Sequence, residues 1–140
     1  VLEEVQEHLR SVDGVMIGRA AYDHPYLFAS ADTCFFGAVQ PPQTRRQVLD
    51  AMLKYLEEWL QQGLPPYHII RHLLNLFAYQ RSARAWKRAL SGQTFVAATT
   101  LQRLQAIIKQ MPDDVLDALP EGIEPSVVST LEPQTARAAT

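Results

Sequence analysis

The stretch QRSARAWKRAL, residues 80–90, sets Arg81, Arg84 and Arg88 at i, i+3 and i+7, with Lys87 beside them. At about 100° per residue these cations share one side of a helix. Like charges that close repel by some tenths of a kcal/mol per pair. An anionic partner reverses the sign, and a phosphate backbone would also release its counterions on binding. Upstream, Arg71, His68, His72, Asn75 and Tyr79 fall on one arc of residues 67–79, opposite Ile69, Ile70, Leu73, Leu74, Leu76 and Phe77. Arg, His, Asn and Tyr without an acid donate to phosphate oxygens or stack on bases; a solvated polar face is the alternative. Trp86 reads first as core, with base stacking as the other reading. Arg45 and Arg46 oppose the dipole of the helix they open and read as solvated side chains.

Two further groups bear on chemistry. Gly18-Arg19 closes the apolar run of Val12, Val15, Met16 and Ile17 and leads into a helical pattern from Ala20. A glycine there lets a phosphate approach the backbone, the first helical amides donate, and Arg19 adds charge. His68 and His72 have the i, i+4 spacing of helical metal ligands, but Arg71 lies between them and no Glu or third ligand accompanies them, so no metal site is expected. Cys34, in SADTCFFG, is the single cysteine. It permits no internal disulfide or multi-cysteine zinc site, suits a reducing cytosol, and reads as a small buried or half-buried side chain. No P-loop, Ser-His-Asp set or paired carboxylates occur, so no catalytic residue is assigned within this chain.

Positioning these residues falls to helices. Thr44 and Gln47 make a capping-box start, and Val48, Leu49, Met52, Leu53, Leu56, Trp59 and Leu60 follow at three- and four-residue spacings to Gly63. Further helices are expected over 67–79, 82–90 and 99–110, with a short turn of helix after Pro112. Residues 42–119 therefore read as a small helical bundle. Before it, a helix from residue 1, an apolar strand at 12–18 and a helix from Ala20 to Phe28 have the rhythm of a parallel α/β unit. A strand needs neighbours, and no other stretch supplies them; TFVAATT, at 94–100, runs straight into a helical pattern. The reading is the C-terminal piece of a longer protein, begun inside its penultimate barrel or sheet unit. The alternative is that 12–18 is helical, although Gly14 and Gly18 weaken a helix there. Residues 120–140 lack periodicity, are rich in Pro, Ser and Thr, and read as a disordered tail.

Bulk composition narrows the classes. The 140 residues are 47% hydrophobic and 20% charged, as in a globular protein, and no apolar run is long enough to span a membrane. The formal charge of −2 conceals segregation: no acid lies between Trp59 and Pro112, a stretch that holds Arg71, Arg81, Arg84, Lys87, Arg88, Arg103 and Lys109. Such an arrangement fits a polyanionic partner for the middle of the chain.

VDGVMIGRAAYDHPYLF, followed by YHIIRHLLNLFAYQRSARAWKRAL, resembles the tRNA-dihydrouridine synthases, and within them the A-type subgroup acting on the D-loop. Gly18-Arg19 matches the end of that family's last barrel strand and His24-Pro25 its Asn-Pro-like step. Arg71, His72, Phe77, Ala83, Arg84, Ala85, Trp86, Lys87 and Arg88 match its second motif, Lys87 replacing the more usual Arg. The similarity runs from about residue 1 to residue 92.

The resemblance implies the last helix-strand-helix unit of an FMN-binding (β/α)8 TIM barrel at 1–38, then a helical tRNA-binding domain at 42–119. It implies reduction of the uridine C5–C6 bond with electrons from NADPH through FMN. A barrel cysteine protonates C5, and Cys34 does not match its context. By the same resemblance Gly18, Arg19 and Ala20 would meet the FMN phosphate. Arg71, His72, Arg81, Arg84, Lys87 and Arg88 would meet tRNA. The protein would be cytoplasmic and monomeric, without metal or membrane. Two alternatives stay open: a free-standing helical RNA-binding or adaptor module, and the end of a different flavin- or phosphate-binding barrel.

Overall fold

The structure, a computed structural model, describes residues 1–92 and 94–120. In chain order the helices are α1 (Leu2–His8), α2 (Arg19–Asp23), a 3₁₀ segment (Pro25–Ser30), α3 (Ala31–Phe36), α4 (Arg45–Gln61), α5 (Tyr67–Leu73), α6 (Ala83–Ser91), α7 (Ala97–Lys109) and α8 (Asp113–Leu116). The expected tail lies outside the described residues from 121 onward.

α4 is the longest helix, and its ends explain its length. At the start the Gln47 amide donates to Thr44 Oγ1 (3.3 Å) and the Thr44 amide to Gln47 Oε1 (2.9 Å), closing the capping box. At the other end Gly63 adopts φ +75°, which a side chain would strain. Its amide bonds the Leu60 carbonyl and the Leu64 amide reaches back to Trp59, so these two carbonyls of the last turn are satisfied as the chain leaves the helix. Leu49 and Leu56, two turns apart, are fully buried against Ile70, Leu73, Phe77, Trp86 and Leu104. α4 contacts α7 and α8, and α6 contacts α7.

Two expectations are corrected. No strand occurs among the described residues: 14–18 have no regular secondary structure, and Met16 is 85% exposed. A strand exists only as part of a ladder, and nothing in these residues offers one. The helix expected over 67–79 also stops early, at Leu73. Beyond it the amides of Leu76, Ala78 and Gln80 bond carbonyls three residues back, in tight turns ending at Tyr79 with φ +64°. Two carbonyls of this stretch take side-chain donors from elsewhere, Leu73 O in addition to the Leu76 amide. Trp86 Nε1 donates to Leu73 O (2.7 Å) and Arg45 Nε to Leu76 O (3.1 Å). Even so, Ile69, Ile70, Leu73, Leu76 and Phe77 all reach the core.

The first forty residues dock onto this body through Tyr26 and Asn75. The Tyr26 hydroxyl lies 2.8 Å from Gln43 O and 3.1 Å from Ala118 O, and Asn75 Nδ2 donates to Tyr22 O (2.9 Å).

Candidate nucleic-acid interface

α6 is oriented by Trp86. Its indole is fully buried, its ring lies 4.7 Å from that of Phe77, and its N–H is spent on Leu73. Leu90, one turn on, is buried as well. Measured from Trp86, Lys87, Arg84 and Arg88 lie about 100–200° around the helix, so burying the indole turns all three outward, and all three are exposed. None has a carboxylate within ion-pair distance among the described residues. The second reading of Trp86, stacking on a base, is closed by its burial.

Arg81 departs from that group. Its Nη2 lies 2.6 Å from both Asp114 oxygens, so a carboxylate 33 residues further along neutralises it. Sequence proximity showed no acid because the acid arrives through the fold.

On α5, Arg71 and His72 are exposed, and Arg71 Nε donates to His72 Nε2 (3.2 Å). Asn75, expected on the same polar arc, is committed to Tyr22. Tyr79 is exposed with its ring 5.1 Å from that of His24. His68 lies between the rings of Trp59 (6.4 Å) and Tyr67 (6.1 Å). α5 and α6 are tied directly by the Trp86–Leu73 hydrogen bond.

Gly18 is the residue before α2, with φ −86° and ψ −114°. A Cβ placed there would meet only Met16 Sδ, at 3.9 Å. The Arg19 and Ala20 amides have no carbonyl acceptor among the described residues, as expected at a helix start. Arg19 is exposed. Cys34, expected to be buried or half-buried, is exposed on α3, which buries none of its residues.

The two arginines read as solvated are both engaged. Arg45 is 3% exposed, its guanidinium carbon 3.7 Å from the centre of the Tyr26 ring. Burial pushes the Tyr26 hydroxyl pKa up, and the Arg45 charge pulls it partly back. Arg46 reaches Asp117 and Asp113. No sequence signal distinguishes them, because their partners lie 19 or more residues away.

Residues 1–112 match the family described as Dihydrouridine synthase (Dus). A tRNA-dihydrouridine(20/20a) synthase of Vibrio vulnificus is 40% identical over 114 residues, covering 81% of this chain and 35% of that protein. One from Synechocystis is 41% identical over 107 residues, covering 76% and 32%. One from Shewanella oneidensis is 46% identical over 90 residues, covering 64% and 27%. The chain spans about a third of the length of the curated relatives it matches.

Proposed function

The chain belongs to the dihydrouridine synthase family, and we propose that it supplies the RNA-binding part of a flavin-dependent tRNA-dihydrouridine(20/20a) synthase. The observation that carries this is the outward set Arg84, Lys87 and Arg88, held by buried Trp86 and without carboxylate partners among the described residues. Arg71 and His72 on α5 extend it. Their role is to neutralise phosphates and orient the tRNA. Lys87 makes a point-charge contact where an arginine would grip two oxygens. Arg81, bonded to Asp114, exchanges that carboxylate for a phosphate when RNA binds.

Residues 1–38 are proposed as the last unit of the flavin-binding barrel, and 42–119 as the tRNA-binding domain. The apolar side chains left outside in the first segment support this, Met16 at 85% and Phe36 at 81% exposed. Three features of the start of α2 support an FMN phosphate there: Gly18 has no side chain to obstruct it, the Arg19 and Ala20 amides have no carbonyl acceptor among the described residues, and Arg19 supplies charge. When bound and reduced by NADPH, the flavin would supply the hydride that, with one proton, saturates the uracil C5–C6 bond. This chain's own part is to hold the phosphate end and the tRNA. The protein would work as a single copy in the cytoplasm.

The test is the salt dependence of tRNA binding. Replacing Arg84 and Arg88 by Gln should weaken binding and reduce the slope of log K against log salt by about one unit per lost phosphate contact. An unchanged slope would reduce the cations to solvated surface. Phosphate or FMN affinity with no preference for tRNA would favour a different barrel enzyme.

A further inference from the structure

The corner between α4 and α5 carries a ladder of aromatic rings that phosphate binding does not use. Tyr55 and Trp59 are one turn apart on α4, their ring centres 6.1 Å apart. Trp59 stands 6.4 Å from His68, and His68 6.1 Å from Tyr67. The Trp59 indole is fixed by donation to Pro65 O at 3.0 Å. Trp59 packs partly against the core, while the outer rings are open to solvent, Tyr55 48% and Tyr67 65% exposed. Tyr55, Trp59 and His68 line an open cavity of about 620 Å³ whose wall continues through Arg71 and His72, and among the described residues no Asp or Glu lines it.

Exposed flat rings beside a guanidinium suit a ligand with apolar faces and an anionic edge. Arg71 retains N–H donors beyond the Nε given to His72. The cavity is continuous with the proposed phosphate-binding set, because Arg71 and His72 belong to both. We infer that this corner is a stacking site for an unpaired nucleobase of the RNA held on α5 and α6. The inference rests on the RNA-binding reading above and adds a base-contacting surface to it. Stacking on aromatic side chains tolerates any base, so the site favours single-stranded loop nucleotides over paired ones.

The probes are an oligouridylate and an abasic phosphodiester strand of equal length, which carry the same charge. The full chain should prefer the base-bearing strand. Tyr55→Ala combined with Tyr67→Ala should weaken that strand's binding roughly tenfold, leaving abasic binding and the salt slope unchanged. Both positions are exposed, and Trp59→Phe, which keeps a ring, should keep the preference. Equal affinity of the wild type for both strands, or a preference that survives the double tyrosine variant, would overturn the stacking site while the salt-sensitive phosphate face stood. Absence of salt-sensitive binding to either strand would overturn both.

Discussion

A single indole decides which way α6 faces. Trp86 fills the space beside Phe77 and gives its N–H to Leu73, so Arg84, Lys87 and Arg88 have only the outward side left. Trp86→Phe removes the donor and part of the buried volume. It should cost about 2 kcal/mol, a hydrogen bond plus lost contacts, read as a lower denaturant midpoint. The salt slope of RNA binding should stay unchanged, because the cations remain. Arg45 works in the same way from the other side. It lies across Tyr26 and donates to Leu76, supporting the tight turns that join α5 to α6.

At the scale of elements, α8 is clamped to α4 by charge. Arg46 donates from Nε to Asp117 (2.6 Å) and from Nη2 to Asp113 (2.6 Å) and Asp117 (2.8 Å). The hydrogen bond from Arg46 holds the Asp117 carboxyl below its ordinary 3.8. A carboxyl lowered on folding stabilises fully above its unfolded value, and that contribution is lost as pH falls through the folded one. Asp117→Asn should therefore lower the denaturation midpoint slightly near neutral pH. The difference from wild type should shrink with added salt, begin to fall as pH drops past 3.8, and disappear only once pH has passed through the lower folded value. A difference that persists in acid would mean that the carboxylate charge is not what secures α8. Local signals made much of this architecture legible: the Thr44–Gln47 box, the Gly63 stop and the apolar arc of α5 depend on residues close in sequence. The break after Leu73 was not, because the carbonyls there take donors from Trp86, thirteen residues beyond Leu73, and from Arg45, thirty-one residues before Leu76. The apolar run at 12–18 reads as a strand on composition, yet strand pairing is a property of neighbours that these residues do not contain.

Across the whole molecule, the segregation of charge along the sequence is partly undone by folding. Asp113, Asp114 and Asp117 return to Arg46 and Arg81. Arg71, Arg84, Lys87 and Arg88 keep no carboxylate partner among the described residues, which gives a chain of net charge −2 an exposed cationic surface, the one proposed above to meet RNA. The identities of these cations could be read from sequence, whereas the diversion of Arg81 required the fold. The aromatic corner was masked because Trp59 follows the apolar spacing of α4, while Tyr67 and His68 reach it from a second helix that only the fold brings alongside. The most direct measurement is ultraviolet crosslinking of the chain to tRNA, with the crosslinked peptides mapped by mass spectrometry. Crosslinks should concentrate between Tyr67 and Ser91, on α5 and α6, and fade together as salt is raised. Crosslinks centred instead on α7, around Arg103 and Lys109, or spread evenly along the chain, would contradict the assignment of the RNA-binding surface.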